Sequence, residues 1–239
     1  MEKILRLLLV ALIVGLFGVA IWSLSQTKPN SSNKYQKYNA NKIVAAAADN
    51  GYIADHYRGN KNAKVAVVEY GDMECGGCGG ASPKMDKLYK KYKDKVLFIF
   101  RNFQMGANEG HYFSREAARA VEAAGLQGKY WPMLAAMYAA QVDWAVEDQQ
   151  ARQDQYVKIF EKIAVGADKA KFIDDMTNNK NILKKLDFDY GLGRHRHMVR
   201  ETPCFYINGK KVNLKEMKKS KDGFEQLISS KLDAELTKK

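Results

Sequence analysis

The stretch from Val65 to Cys78, VAVVEYGDMECGGC, decides the fold of this chain. Its apolar run at residues 65–68 ends at a Gly-Asp loop, which predicts a central strand that is buried on both faces. After the second cysteine, apolar side chains recur at three- and four-residue spacing and predict an amphipathic helix: Met85, Leu88 and Tyr92. The two cysteines therefore lie where a strand ends and a helix begins.

This position has chemical consequences for the CxxC pair. A thiol at a helix N-terminus faces unpaired backbone N–H groups and the positive end of the helix dipole, and both stabilise a thiolate. Cys75, at the outer end, is therefore predicted to be the nucleophile. Cys78 lies one turn later, where its thiol can attack a mixed disulfide and release the product. The order of strand, CxxC and helix is typical of a redox motif.

A metal site is the alternative role for the same two thiols. A four-ligand zinc site needs a second pair of Cys or His ligands. The chain offers one further cysteine, Cys204, and four histidines. An extracytoplasmic module that binds zinc or copper through Cys75, Cys78 and a histidine is therefore kept as a function of a different class.

The N-terminal region differs in kind from the rest of the chain. Lys3 and Arg6 precede an uncharged apolar run, and residues 4–24 would span about 30 Å as a helix. The basic start predicts that the following domain is exported. We interpret residues 1–25 as a signal anchor that holds the domain on the extracytoplasmic face of the cell membrane. A cleaved signal peptide, which would release a secreted protein, is the alternative because small residues occur near residue 25.

Residues 26–50 are polar and are interpreted as a tether, with a short helix predicted at residues 42–48. The folded domain is predicted to comprise residues 51–239. The net charge is +12, and much of it lies on lysine-rich helix faces and in the C-terminal tail. A solvated surface accounts for this charge, and attraction to an anionic membrane or envelope polymer is the alternative. No nucleic-acid-binding motif accompanies the charge.

The remaining pattern gives the order of the elements. Residues 96–100, VLFIF, predict a second strand, and residues 107–190 show helical periodicity throughout. Strand character returns at residues 202–207. Asn208-Gly209 then predicts a type I′ hairpin, and a closing helix follows. The order is β-α-β, a helical insertion, then β-β-α, which is an α/β class.

These ordered motifs resemble the DsbA-like thiol:disulfide oxidoreductases of the thioredoxin superfamily. The resemblance covers roughly residues 55–232 and rests on the segment around the CxxC and on residues 98–103, FIFRNF. It also rests on His111 with residues 115–120, REAARA, on residues 128–131, GKYW, and on Thr202-Pro203 with the FYING that follows Cys204. It implies a thioredoxin fold with a helical insertion.

The resemblance also implies roles for three further residues. It implies a cis peptide bond at Thr202–Pro203 that packs against the CxxC. It implies a buried acid at Glu69, on the strand below Cys75, that accepts the proton of Cys78 during exchange. Burial would raise the pKa of such an acid toward a useful value.

The implied function is that of an exported enzyme that forms disulfides. It would donate the Cys75–Cys78 disulfide to unfolded exported proteins through a mixed disulfide at Cys75. A membrane, quinone-linked reoxidase (DsbB- or VKOR-like) would reoxidise it, with no cofactor besides the redox-active disulfide. Residues 26–50 are too short for a dimerisation domain, so a monomer is expected. An isomerase or reductase of the same fold is the alternative.

Two departures from the family pattern and one basic run carry expectations of their own. Glycines replace the Pro-His of a Cys-Pro-His-Cys motif between Cys75 and Cys78, which predicts a less oxidising pair than that of DsbA. Cys204 is interpreted as a small buried hydrophobe, with a regulatory or mixed-disulfide role as the alternative. The loop that contains His195 and His197 is interpreted as solvated, and the alternative is that its cations stabilise the Cys75 thiolate.

Overall fold

The computed structural model describes residues 33–238. The chain divides into two compact units, residues 1–37 and residues 38–239. The described part of the first unit contains a 3-10 turn, Asn33–Tyr35. The predicted anchor at residues 4–24 and its alternative, the signal peptide, lie outside the described residues. Between residues 33 and 238, no helix has both the length and the apolar character needed to cross a membrane.

The second unit is built on one mixed sheet of five strands. They are β1 (His56–Gly59), β2 (Val65–Gly71), β3 (Val96–Asn102), β4 (Cys204–Ile207) and β5 (Lys210–Lys211). Their order across the sheet is β1-β3-β2-β4-β5. Strand β2 runs parallel to β3 and antiparallel to β4, and each of its seven residues is buried. The prediction of a central strand buried on both faces is therefore confirmed.

Helices cover the sheet and form the insertion. They are α1 (Gly76–Tyr92), α2 (Ser114–Gly125), α3 (Tyr130–Ala139), α4 (Gln141–Trp144), α5 (Gln149–Ile163), α6 (Lys169–Asn178), α7 (Lys180–Arg196) and α8 (Gly223–Leu236). Helix α1 connects β2 to β3, and α8 closes the fold. The helical block predicted at residues 107–190 is confirmed, although it continues to Arg196.

The alternation of side chains along β2 positions the functional face. Val65 and Val67 pack in the layer that contains α1 and α8, whereas Ala66 and Val68 pack on the opposite face. Because successive side chains of a strand point to opposite faces, Glu69 shares the face of Val65 and Val67. The Glu69 carboxyl therefore lies on the side of the sheet that carries the CxxC helix.

The Asn208-Gly209 hairpin has the predicted form. Ile207 pairs with Lys210 across the turn. Both central residues have positive φ, 45° at Asn208 and 79° at Gly209, as a type I′ turn requires. The hairpin prediction is therefore confirmed. Asn and Gly adopt this turn because both residue types tolerate a positive φ.

Two local features differ from the sequence-based expectations. The helix predicted at residues 42–48 is wrong: residues 43–47 form no helix. The backbone N–H of Val44 donates to the Asp55 carboxylate at 2.8 Å, and the Asp55 N–H donates to the Val44 carbonyl at 2.9 Å. The compact unit begins at Tyr38, so residues 38–50 belong to the domain rather than to a polar tether.

Strand β1 was not expected from the sequence. Its four residues, HYRG, lack the alternation of apolar and polar side chains that marks a strand. It pairs antiparallel with β3 at the edge of the sheet. Its pairing partner, and not its own composition, makes it a strand.

Candidate active site

The CxxC pair lies at the N-terminus of α1, as the sequence predicts. Cys75 is the N-cap residue, and its Sγ accepts a hydrogen bond from the backbone N–H of Cys78 at 3.4 Å. Cys75 keeps 9% of its surface exposed, whereas Cys78 is fully buried. None of the three cysteines of the chain is in a disulfide. The structure therefore shows the reduced, dithiol form of the pair.

The two thiols have pKa values displaced in opposite directions. Hydrogen bonding from Cys78 lowers the pKa of Cys75 to about 6, with Thr202 contributing in the same direction against the effect of burial. Burial raises the pKa of Cys78 well above its ordinary value, and its proximity to Cys75 adds to this. At neutral pH the pair therefore holds one thiolate that keeps a small accessible surface and one fully buried, protonated thiol.

The Thr202–Pro203 segment lies against the cysteines. Its peptide bond is cis, and the Thr202 carbonyl oxygen lies 3.3 Å from Sγ of Cys75. A Cβ atom added to Gly77 would lie 3.1 Å from Cδ of Pro203 and 3.6 Å from Sγ of Cys75. The absence of a side chain at Gly77 therefore permits the close approach of Pro203, while a Cβ added to Gly76 would meet no atom within 4 Å.

Alanine substitutions at the two glycines are predicted to have different effects. Gly77→Ala forces Pro203 to move by a few tenths of an ångström, so the attack of a peptide thiolate on Sγ of Cys75 in the Cys75–Cys78 disulfide should slow by roughly three- to tenfold. Gly76→Ala is the matched control, because it adds the same methyl group in open space and gains helix propensity of up to about 1 kcal/mol. Stopped-flow kinetics on both variants measure the difference. Equal rates for the two variants would show that the contact with Pro203 does not matter.

Glu69 lies beside the pair in a closed environment. It is 8% exposed, and burial raises its pKa to about 8, although the guanidinium of Arg58 opposes this. Arg58 is held by Asp86, at 2.6 Å, and lies over the ring of Trp131. These side chains and Tyr138 line a cavity of about 20 Å³ next to Glu69. Glu69 is therefore a largely protonated acid at neutral pH.

Three side chains fix the loop that leads into the CxxC. The Asp72 carboxylate accepts hydrogen bonds from the N–H groups of Glu74 at 2.8 Å and Met105 at 2.6 Å. The Glu74 carboxylate accepts from the first N–H groups of α2, including that of Ser114, at 2.6 Å. Gln141 donates to the carbonyl of Cys75 at 3.1 Å. The position of Cys75 therefore depends on β2, on the start of α2 and on α4.

His111 is a residue near the site to which the sequence assigned no chemical role. Its Nδ1 lies 3.0 Å from the Asp72 carboxylate, and its side chain is 21% exposed. Although partial burial opposes protonation, Asp72 raises the pKa of His111 above its ordinary value, and the Cys75 thiolate adds to this. When it is protonated, His111 therefore adds a positive charge that favours the Cys75 thiolate, in a protein whose CxxC contains no histidine.

Replacement of His111 by glutamine is predicted to make the Cys75 thiolate less stable. The charge that favours the thiolate is lost, so alkylation of Cys75 by iodoacetamide at pH 5 should slow by roughly two- to threefold. The control is His195→Gln, which removes a histidine from the last turn of α7 and should leave the rate unchanged. An unchanged alkylation rate for His111→Gln would show that His111 does not stabilise the Cys75 thiolate.

The structure also places the other residues that the sequence singled out. Cys204 is 2% exposed on β4, and burial raises its pKa, which supports its interpretation as a small buried hydrophobe. His197 hydrogen-bonds Asn41 at 2.8 Å and Tyr70 at 3.1 Å, and burial lowers its pKa to about 4. It is therefore neutral at pH 7 and supplies no cation to the Cys75 thiolate. His195 lies in the last turn of α7 and not in a loop.

The metal-binding alternative requires further ligands beside Cys75 and Cys78. In the described part of the chain, residues 33–238, no group of three or more His, Cys, Asp or Glu side chains is arranged to hold a metal ion.

Several contacts of the site were not visible in the sequence. Gln141 and Arg58 reach the site from elements far from the CxxC in the chain, and neither carries a local motif. Asp72 and Glu74 flank the CxxC directly, so their acidic pattern was a signal that the sequence did offer.

Part of the chain is similar to segments of larger curated proteins. It is 31% identical over 157 residues to the Na(+)/H(+) antiporter NhaA 1 of Mycobacterium sp. (strain KMS), which covers 66% of this chain and 24% of the antiporter. It is 30% identical over 158 residues to NhaA 1 of Salinispora arenicola, which covers 66% of this chain and 22% of that protein. The match thus spans about a quarter of the length of these relatives.

Solved structures are similar over most of their length. BdbD from Bacillus subtilis in its oxidised form has a TM-score of 0.60 at 20% identity, and the match covers 84% of this chain and all of BdbD. The alpha-DsbA1 of Wolbachia pipientis has a TM-score of 0.60 at 19% identity, over 76% of this chain and 92% of that protein. These similarities show the fold.

The family follows from a match at the level of sequence. A protein-family model described as thioredoxin matches residues 52–230, which include the CxxC, Glu69 and Thr202–Pro203. The chain therefore belongs to the thioredoxin family and has the DsbA-like fold of the thiol–disulfide oxidoreductases.

Proposed function

We propose that this chain is an exported thiol:disulfide oxidoreductase that donates the Cys75–Cys78 disulfide to folding secreted proteins. The observation that carries the proposal is the geometry of the pair: Sγ of Cys75, at the N-cap of α1, accepts a hydrogen bond from the N–H of Cys78 at 3.4 Å, while the side chain of Cys78 is fully buried. The pKa of Cys75 is accordingly lowered and that of Cys78 raised. A stabilised thiolate stabilises the reduced form of the pair, and a stable reduced form makes the disulfide an oxidant.

The reaction has two exchange steps. A thiolate of the client protein attacks Sγ of Cys75, the Cys75–Cys78 bond breaks, and Cys78 leaves and takes up a proton. The second client thiolate then attacks the client sulfur of the mixed disulfide. This forms the client disulfide and expels Cys75 as a thiolate. Two electrons pass from the client to the enzyme, and the client disulfide is the product.

The environment of each residue suits its role in these steps. Cys75 is a good leaving group because its pKa is low. Cys78 is buried, so its departure as a thiolate is unfavourable unless a proton is supplied. Glu69, with a pKa of about 8, is largely protonated at pH 7 and can supply that proton. The sequence predicted Glu69 as a proton acceptor, which is the same transfer in the reverse direction.

The degree of activation indicates a weaker oxidant than DsbA. The pKa of Cys75, about 6, lies well above that of DsbA, about 3.5. This supports the expectation that Gly76 and Gly77 give a less oxidising pair than Pro-His does.

The proposal includes partners and a location. The clients are unfolded exported proteins, and a membrane, quinone-linked enzyme takes the two electrons from the reduced pair. The chain acts as a monomer on the extracytoplasmic face of the membrane, with no cofactor besides its own disulfide. The apolar run at residues 4–24 supports the location.

The reduction potential of the Cys75–Cys78 pair tests the direction of the reaction. The full chain is equilibrated with glutathione redox buffers, and the dithiol fraction is measured by alkylation and mass. A potential below that of DsbA, about −120 mV, and near that of protein disulfide isomerase, about −180 mV, is expected. A potential near −270 mV, like that of thioredoxin, would make the protein a reductant and overturn the proposal.

A further inference from the structure

A groove lies beside the Thr202–Pro203 segment, which contacts Cys75. One wall comprises residues 201–204, which include the Thr202–Pro203 segment in contact with Cys75. The other wall comprises residues 211–215, which follow the β4–β5 hairpin. The groove has a volume of about 510 Å³. A peptide whose cysteine has joined Cys75 therefore lies next to the Thr202–Pro203 side of this groove.

The second wall belongs to a strongly basic segment. Residues 210–221, KKVNLKEMKKSK, contain six lysines and one glutamate. All six lysines are exposed. Two of them, Lys211 and Lys215, line the groove directly. We call this segment the lysine rim.

The pairing of the lysine rim leaves much of its charge uncompensated. Lys211 contacts Glu201 of the opposite wall at 3.1 Å, which neutralises the acidic side chain of the groove lining. The glutamate of the rim, Glu216, contacts Lys231 of α8 at 2.8 Å. Four lysines of the rim have no ion pair with any residue between 33 and 238: Lys215, Lys218, Lys219 and Lys221.

Clustered like charges repel one another, and a groove wall concentrates their field near the bound segment. The molecule itself supplies few anions to this wall. An anionic partner that enters the groove would relieve the repulsion and gain attraction. A client protein forms its mixed disulfide at Cys75, next to this groove. The partner that enters the groove is therefore a polypeptide segment of the client.

We infer that the lysine rim selects clients whose reactive cysteine is flanked by aspartate or glutamate. This inference rests on the proposed function, since it concerns the substrates of the same site. The rim accelerates encounter and holds the acidic flank in the groove while Cys75 forms the mixed disulfide. The effect acts through the field at the surface, so it weakens as salt screens the charges over about 10 Å at 0.1 M.

The test uses three dithiol peptides of one length that differ only in the residues next to the cysteines. These residues are aspartate, serine or lysine. The rate of disulfide transfer from the oxidised full chain is measured by rapid quenching with acid and mass analysis. At low salt the aspartate peptide should react roughly tenfold faster than the serine peptide, and the lysine peptide more slowly. The advantage should shrink to about twofold near 1 M salt.

Two variants with the same change of net charge assign the effect to the rim. The triple change Lys215→Gln, Lys218→Gln and Lys219→Gln should bring the ratio of aspartate to serine peptide rates to within about twofold of one. The control is the triple change Lys90→Gln, Lys93→Gln and Lys95→Gln. These three lysines are exposed and lie at or just after the C-terminal end of α1, the end remote from Cys75. It should keep the roughly tenfold ratio. The rate with the serine peptide reports whether each variant is folded and active.

The outcomes separate this inference from the proposed function. If the serine peptide is oxidised but the aspartate peptide gains nothing, the rim does not select clients and the oxidase proposal stands. If no peptide is oxidised, the proposed function itself fails. The inference is also overturned if the triple variant keeps its peptide preference but loses binding to phosphatidylglycerol vesicles, because the rim would then contact a membrane.

Discussion

Replacing Glu69 with glutamine is expected to slow disulfide donation by the full chain at pH 7 by roughly 100-fold. Glutamine keeps the size of the side chain but has no proton to give, so buried Cys78 must leave as an unpaired thiolate. The rate is measured with a dithiol peptide by stopped-flow kinetics. The control is Glu161→Gln, an exposed carboxyl of α5, which should leave the rate unchanged. A rate for Glu69→Gln within threefold of the original would exclude Glu69 as the proton donor.

The same variant has an expected signature in stability, which separates the proton-transfer role from a folding defect. Since the pKa of Glu69 is raised in the folded state to about 8 from 4.5, the folded state binds the proton more tightly than the unfolded state does. Stability is therefore lost as pH rises from about 4.5 to 8, by up to about 1.4 kcal/mol per pH unit. Glutamine cannot ionise, so Glu69→Gln should match the original protein near pH 4 and exceed it at pH 9. Urea unfolding at both pH values measures this.

The parts of the site that the sequence predicted are those that local patterns encode. The apolar run at residues 65–68 predicts a buried strand, and the alternation of side chains along that strand puts Glu69 on the face of the CxxC helix. Asn208-Gly209 fixes the hairpin because few other residues accept its backbone angles. Such features need only a few neighbouring residues, so they can be recognised without the fold.

The contacts that the sequence did not predict come from residues far apart in the chain. His111 meets Asp72 across 39 positions, and Gln141 meets Cys75 across 66. Neither residue belongs to a periodic pattern, and a histidine or glutamine in an exposed loop looks the same as one that turns inward. Only the packing of the helical insertion against the end of β2 brings them to the site.

Arg101 is the case in which the sequence did carry a signal. It directly follows the apolar run of β3 at a position that is buried, and a buried charge must be paired. The partner, Asp55, lies 46 positions away and could not be identified from the sequence. The helix predicted at residues 42–48 was wrong for the same reason, because the backbone of that segment bonds to Asp55 and Arg101 instead of to itself.

Replacing Arg101 with methionine is expected to lower the free energy of unfolding by about 3–5 kcal/mol. The Arg101 guanidinium donates to the Asp55 carboxylate at 2.5 Å and to the carbonyls of Ala40 at 2.6 Å and Lys42 at 2.9 Å. Burial opposes ionisation of Asp55, but Arg101 and Lys185 hold its pKa well below the ordinary range. Without Arg101, a buried carboxylate loses one of its two cations, and two carbonyls lose their donor.

The contrast with a surface pair of the same chemistry makes this prediction specific. Arg115 contacts Asp187 at 2.8 Å, but the two side chains are 45% and 63% exposed, so Arg115→Gln should cost less than about 1 kcal/mol. Urea unfolding compares the two variants.

If Arg101→Met does not fold, Arg101→Lys keeps the charge and loses the forked hydrogen bonds, at a cost of about 1–3 kcal/mol. Because Arg101 ties residues 40–42 to β3, hydrogen exchange in Arg101→Lys should rise first in the amides of that segment. Equal costs at Arg101 and Arg115 would mean that the buried network does not hold the segment in place.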